Sequence, residues 1–156
     1  MHLIVSRAPH RQPVYYLEES FIMPSADLCT EEEVSQLVHT FYENVRNDPV
    51  LGPIFEHHVK DWSAHLPKMV DFWSSALRGT ARFHGAPMPK HAVLPGLTAA
   101  LFQRWLTLFR ETTNTLPNSV MRERSNHLAQ RIARSLWQGY QIGHGGHSPQ
   151  TLTGAA

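Results

Sequence analysis

The chain has 156 residues, enough for one domain with a hydrophobic core of its own. Its net charge of +1 and charged fraction of 17% leave no basic stripe for a phosphate backbone, which argues against nucleic acid as a partner. One cysteine, Cys29, excludes an internal disulfide, and with no apolar run near ~20 residues and no signal-like start we expect a cytoplasmic protein without membrane contact.

An extension precedes the first predicted helix. Residues 1–29 mix prolines, charges and the apolar patch VYYLEESFIM without a sustained period, so we expect this extension to be partly mobile. Thr30 and Glu33 then match a capping box, and apolar residues follow at helical spacing: Val34, Leu37, Val38, Phe41, Tyr42 and Val45. The predicted amphipathic helix ends near Asn47. The hydroxyl of Tyr42 enters an apolar interior and needs a hydrogen-bond partner, either a ligand or a backbone carbonyl.

Residues 51–58, LGPIFEHH, come next. The Gly52-Pro53 pair predicts a turn, and Phe55 is expected in the core just beyond it. His57 and His58 are adjacent, so their side chains diverge too far to chelate one ion together. We expect both histidines at the surface.

A second long helix is predicted from the N-cap Asp61 to Gly79. The residues on its apolar face are Trp62, His65, Met69, Phe72, Trp73 and Ala76. Pro67 lies early in this helix and is tolerated if the first turn lies near Ser63 or Ala64, where a missing N–H does no harm. A histidine on an apolar face, as at His65, is either a ligand or a hydrogen-bonded core residue.

The connector GAPMPKHAVLPG holds the residue of greatest chemical interest, His91. Pro87, Pro89 and Pro95 each lack an N–H and fix their own φ, so the connector has room for about one turn of helix. A neutral imidazole there offers one lone pair, which suits a metal or a metal cofactor. The alternative is a hydrogen bond to a nearby backbone group.

Two further helices complete the chain. Thr98 is a cap for a helix to about Thr115, and the residues on its apolar face are Leu101, Phe102, Trp105, Leu108, Phe109 and Thr112. Trp105 supplies an indole N–H, which only donates. Pro117 suits the first turn of the last helix, which ends at Gly143. Its apolar stripe is the longest of the chain: Met121, Leu128, Ala129, Ile132, Ala133, Leu136, Trp137 and Tyr140.

Four long amphipathic helices therefore carry Tyr42, His65 and Trp105 on apolar stripes, and His91 lies on a separate short element. Several polar groups on one core indicate a polar ligand or a shared network, because buried polar groups without partners are costly. The sequence has no H-E-x-x-H, G-x-S-x-G, Walker or Rossmann pattern. An apolar slot with one nitrogen ligand suits haem, which brings its own iron.

Three stretches, in this order and spacing, match one known family: FYENVRNDPVLGPIFEHHVKDWSAHLPKMVDFWSSALRGTARFHGAPMPKH, LFQRWLTLFRE and RIARSLWQG. The chain resembles the group III truncated haemoglobins, which are bacterial globins. The resemblance implies an all-α fold, a two-over-two helical sandwich around haem b (iron protoporphyrin IX). It places the globin domain at residues 30–142 and leaves the extension 1–29 outside it. The tail, residues 143–156, is polar and rich in glycine, so we expect it to be disordered. Two features depart from the family: the long extension and Pro67, two residues beyond His65.

By this resemblance His91 is the proximal ligand of the haem iron, and Tyr42, His65 and Trp105 line the distal side. His65 is either a third hydrogen-bond donor or a swinging barrier at the distal mouth. The side chains expected to contact the cofactor are Phe55, Lys68, Met69, Phe72, Trp73 and Arg82, and Arg78 is a further candidate for the propionates.

Three classes of function follow from these expectations. The first is a haem protein that binds dioxygen, NO and CO reversibly, as in oxygen transport, and is a monomer or a weak dimer. The second is a haem-dependent redox enzyme, a nitric oxide dioxygenase or a peroxidase-like protein, which needs a separate reductase because the chain lacks a flavin or nicotinamide domain. The third is a haem-free helical interaction module that uses the same residues as plain core.

Overall fold

The computed structural model describes residues 23–85, 96–144 and 152, so the prolines around His91 and most of both tails lie outside the described residues. The helices are α1 (Glu31–Asn47), α2 (Leu51–His58), α3 (Trp62–Arg78), α4 (Ala99–Thr113) and α5 (Ser119–Gly143). Within those ranges there is no β-strand. None of the described helices is long and apolar enough to cross a membrane.

Helix α1 begins with the predicted capping box. The Thr30 hydroxyl accepts from the Glu33 N–H at 3.1 Å, and the Glu33 carboxylate accepts from the Thr30 N–H at 3.0 Å. These bonds satisfy two backbone donors that have no partner within the helix. All six residues predicted on its apolar stripe, from Val34 to Val45, are buried, so that prediction is confirmed.

The corner between α1 and α2 is built on Asp48. Its carboxylate accepts hydrogen bonds from the backbone N–H groups of Val50 at 3.1 Å and Leu51 at 2.8 Å. The predicted turn at Gly52-Pro53 is wrong, because both residues lie in the first turn of α2. Pro53 fits there because a first-turn N–H has no partner within the helix. At Gly52 a Cβ would lie 2.6 Å from the Arg46 carbonyl oxygen, which is too close for any residue with a side chain.

Helix α3 has the predicted ends. Asp61 caps the N–H groups of Ser63 and Ala64, and Gly79 follows the last turn with φ of 72° in the left-handed region. The predicted start after the N-cap Asp61 is confirmed, and the condition for a harmless Pro67 is not met: the helix begins at Trp62, so Pro67 lies beyond the first turn, where one intrahelical hydrogen bond is missing.

Helices α4 and α5 differ slightly from their predicted limits. The Thr98 hydroxyl caps α4, which ends at Thr113, two residues before the predicted Thr115. Pro117 is not in the first turn of α5, because the side chain of Asn118 is the N-cap and accepts from the Met121 N–H at 3.0 Å. An asparagine oxygen satisfies an orphan donor that proline cannot, and this decides where α5 begins.

The helices pack as two pairs, α1 with α3 and α4 with α5, joined by contacts of α1 with α4 and of α3 with α5. This is the predicted all-α, two-over-two arrangement, and its core lies between the pairs. Residues 23–30 run along α3 and α5: the Ser25 N–H donates to the Leu77 carbonyl at 3.0 Å, and Arg124 donates to the Met23 carbonyl at 3.1 Å.

Candidate ligand-binding site

Six side chains of α1, α2, α3 and α4 form what we name the aromatic cluster. Its members are Phe41, Tyr42, Phe55, Trp62, His65 and Trp105. Tyr42 lies at its centre, with its ring centroid 5.4 Å from that of His65, 5.7 Å from Trp62 and 6.1 Å from Phe55. The rings of Tyr42 and His65 meet edge to face at 89°, a favoured geometry for aromatic pairs.

Trp105 joins the cluster through Phe41. The Phe41 centroid lies 5.2 Å from that of Tyr42 and 5.3 Å from that of Trp105, and both contacts are edge-type. Trp105 also stacks on Phe109 at 5.6 Å, and Phe109 stacks in turn on Trp73 at 5.0 Å. The fold thus brings together Tyr42, His65 and Trp105, three residues that the sequence spreads over 63 positions.

The hydroxyl of Tyr42 is held in its neutral form. Only 6% of the residue is exposed, and burial raises the pKa of the phenol well above its ordinary range. A neutral phenol keeps its proton at all physiological pH values and therefore donates a hydrogen bond. Donation to an electron-rich acceptor is therefore one chemistry available at this position, beside acceptance by the phenol oxygen.

Trp62 is a further member of the cluster, and the sequence pattern predicts it only as part of an apolar stripe. Its indole N–H is buried and has no hydrogen-bond acceptor among the residues the structure describes. The guanidinium carbon of Arg46 lies 4.6 Å from the centroid of the Trp62 ring. The Arg46 Nε donates to the Glu56 carboxylate at 2.7 Å, so an ion pair from α1 to α2 covers the first residue of α3.

A groove of about 530 Å³ runs behind the cluster. Its lining combines Tyr42 and Leu66 with polar side chains, namely His39, Glu43, Arg46, Asn47 and Glu56. Leu66 is the neighbour of His65 along α3. The groove therefore borders Tyr42, and the Arg46–Glu56 pair forms part of its lining.

The apolar side chains expected to contact a macrocycle lie on α2 and α3. Phe55, Met69 and Phe72 are half-buried and pack against the core, and Trp73 is buried. Half-buried large apolar side chains on two neighbouring helices form a surface that a flat apolar group can cover. This apolar area fits a haem. The hydroxyl and indole donors of the aromatic cluster, together with the buried N–H of Trp62, fit a polar ligand on that haem.

The candidates for the propionates differ in their surroundings. Arg78 pairs with Glu31 and donates to the Cys29 carbonyl at 2.7 Å. Arg82 contacts Glu31 at 2.8 Å and Asp71 at 3.3 Å. Lys68 is exposed.

His91, the predicted proximal ligand, lies outside the described residues. The described chain resumes at Gly96, and the Leu97 N–H donates to the Tyr140 hydroxyl at 3.1 Å. Tyr140 stacks on Trp137 at 5.9 Å and on His144 at 4.0 Å, which fixes it on α5. The exit of the connector is therefore tied to the last helix.

A two-over-two helical sandwich with hydroxyl, imidazole and indole groups in one aromatic cluster defines a protein of the truncated globin class. The family model for bacterial-like globins matches residues 27–137, and the chain belongs to this family. Membership in the truncated haemoglobins implies a haem cofactor and haem-based ligand binding.

Known relatives agree with this assignment. The chain is 36% identical over 125 residues to the group 3 truncated hemoglobin ctb of Campylobacter jejuni, which covers 78% of this chain and 98% of that protein. It is 35% identical over 85 residues to the group 2 truncated hemoglobin YjbI of Bacillus subtilis, over 52% of this chain and 62% of that protein. The crystal structure of group III truncated hemoglobin from Campylobacter jejuni superposes with a TM-score of 0.67 and 36% identity, over 76% of this chain and 96% of that one. The resemblance to group III and the predicted fold are thus confirmed.

Proposed function

We propose that this protein binds dioxygen, NO and CO reversibly at the iron of a haem b. In this proposal His91 is the proximal ligand, and Tyr42, His65 and Trp105 form the distal side. Residues 30–142 make up the globin domain. The observation that carries the proposal is the aromatic cluster, in which a neutral buried hydroxyl and an imidazole from two helices are in contact and an indole from a third helix joins them through Phe41.

When bound, haem supplies an open coordination position and electron density that gives a diatomic ligand partial negative charge. The chain supplies the environment. Phe55, Met69, Phe72 and Trp73 provide apolar contact area and exclude water from the pocket. A dry pocket strengthens each hydrogen bond made inside it, because the local dielectric constant is low.

Tyr42 and Trp105 act as donors in this proposal. The phenol keeps its proton because burial disfavours the charged form, and the indole is unable to accept. Both groups therefore favour a ligand that carries negative charge over a neutral one. These donors therefore lengthen the time for which dioxygen stays bound more than they lengthen it for CO.

The basic side chains have distinct roles under the same proposal. Lys68 is exposed on α3, and Arg82 is already shared between Glu31 and Asp71. A cofactor carboxylate that takes Arg82 must compete with two protein carboxylates, whereas Lys68 needs no such exchange. We therefore assign Lys68 the larger share of propionate binding.

The test is haem retention in two matched histidine variants of the full chain. His91→Ala should load haem poorly and lose the Soret band of the wild type, because the iron loses its anchor. His84→Ala removes an exposed histidine seven residues away and should load normally. Equal native Soret bands in both variants would overturn the assignment of His91. A wild-type protein that takes up no haem at all would instead leave the haem-free helical module as the correct class.

A further inference from the structure

The cluster is supported from outside by residues of three helices. Arg46 lies in the last turn of α1, Glu56 in α2, and Trp62 is the first residue of α3. The Arg46 guanidinium stands over the Trp62 ring at 4.6 Å, while its Nε donates to Glu56 at 2.7 Å. A planar guanidinium makes both contacts at once, which a lysine ammonium does not.

Trp62 connects this ion pair to His65 and Tyr42, two side chains of the proposed distal side. Its ring centroid lies 5.4 Å from that of His65, edge to face at 89°, and 5.7 Å from that of Tyr42. Any rotation of the indole therefore changes the space open to both side chains. The buried N–H of Trp62 makes no hydrogen bond to the described part of the chain, so such a bond does not hold the indole in place.

We propose that Arg46, held by Glu56, is a positioning residue that fixes the Trp62 indole against His65 and Tyr42 and thereby limits how fast ligands reach the pocket. Arg46 and Glu56 also line the groove that borders Tyr42, and Arg46 stands over the Trp62 ring, so the ion pair lies between this groove and the indole. This inference rests on the proposed function, because it concerns the entry of the same ligands.

We call the contacts of Arg46 with Glu56 and Trp62 the clamp. The strength of these contacts depends on how far the side chains are exposed to solvent. The side chains of Arg46 and Glu56 are 44% and 48% exposed, so salt screens their attraction. The stacking of the guanidinium on the indole adds a contribution of similar size. Removing both contributions should speed ligand association by about fivefold.

The first measurement is CO association after flash photolysis of the full-length, haem-loaded protein. Arg46→Met keeps the length of the side chain and deletes its charge, and it should associate CO about fivefold faster than the wild type. Arg131→Met removes an exposed arginine of α5 and should leave the rate unchanged. Raising the salt from about 0.01 to about 1 M should speed the wild type and leave Arg46→Met unaffected.

The second measurement follows the Trp62 indole N–H directly by NMR in the full chain as purified, with its resonance identified by its loss in Trp62→Phe. This resonance should move in Arg46→Met and stay in place in Arg131→Met. If Arg46→Met folds poorly, Glu56→Gln serves instead, because it deletes the ion pair and leaves the arginine in place.

Two results would overturn the clamp. One is a CO association rate within twofold of the wild type in a variant that keeps its Soret band and unfolding midpoint. The other is an unmoved indole resonance. A protein that never binds haem would refute the proposed function but not the clamp, because the NMR measurement needs no ligand.

Discussion

Replacing Tyr42 by phenylalanine isolates one hydroxyl in the proposed pocket. The ring makes edge contacts with Phe41, Phe55 and His65, and all of these are retained in Tyr42→Phe. The unfolding free energy should therefore change by less than about 1 kcal/mol. Any large change in ligand kinetics then reports the lost donor rather than a repacked core.

The magnitude follows from the burial of the donor. Tyr42 is 6% exposed, so its side chain lies largely away from bulk water. A hydrogen bond to a charge-bearing group contributes about 1.5 to 3 kcal/mol, which corresponds to roughly a ten- to more than hundredfold change in an equilibrium constant. We expect dioxygen to leave Tyr42→Phe on the order of ten times faster or more, and CO, which carries less charge, to be affected much less.

The assay is stopped-flow displacement of dioxygen and of CO from the ferrous protein. Trp105 shares the contact with Phe41 and is the group best placed to compensate, so the double variant Tyr42→Phe/Trp105→Phe is measured beside the single one. Unchanged dioxygen dissociation in both variants would show that Tyr42 lies outside the ligand pocket and has a structural role.

Two further predictions concern entry and stability. His65→Ala should speed CO association severalfold while changing dioxygen dissociation less, as flash photolysis would show, since a barrier acts on entry; the reverse pattern would make His65 a donor. Asp48→Asn should lower the unfolding free energy by about 1 to 2 kcal/mol in urea titrations, because the 6%-exposed carboxylate loses its charged pair with Arg104 at 2.7 Å. The control Asp27→Asn changes an exposed carboxylate and should match the wild type. Arg104 and the backbone N–H groups lower the pKa of Asp48 from 3.8 to about 2. Its contribution to the unfolding free energy is therefore complete above pH 3.8 and is lost as the pH falls toward 2. The same dependence of unfolding free energy on pH in Asp48→Asn and the wild type would refute this.

Several features of the fold were predictable because they depend on local spacing. The capping box of Thr30 and Glu33, the N-caps Asp61 and Thr98, and the buried stripe of α1 are all set by residues within a few positions of each other. These short spacings are visible in the sequence, because residues three or four positions apart share one face of a helix. The order of the motifs added the family, and with it the two-over-two arrangement.

The wrong predictions arose where proline has two allowed positions. Pro53 and Pro117 each suit a turn or a first helical turn, and spacing does not choose between them. The structure put Pro53 in the helix, because Asp48 caps the N–H groups before it, and left Pro117 outside, because Asn118 provides the cap. In both cases a side-chain oxygen decided the boundary.

The sequence by itself determined the four long helices, their apolar faces and the family, including Tyr42, His65 and Trp105 as residues of interest, but it did not predict α2. Only the tertiary structure decided which of these side chains touch and what supports them. The pair Arg104–Asp48 joins residues 56 positions apart, and Arg46 reaches Trp62 across two helix ends. Periodicity fixes only which face of a helix a residue occupies. Contacts such as these depend on how the helices pack against one another, and no local pattern encodes that packing.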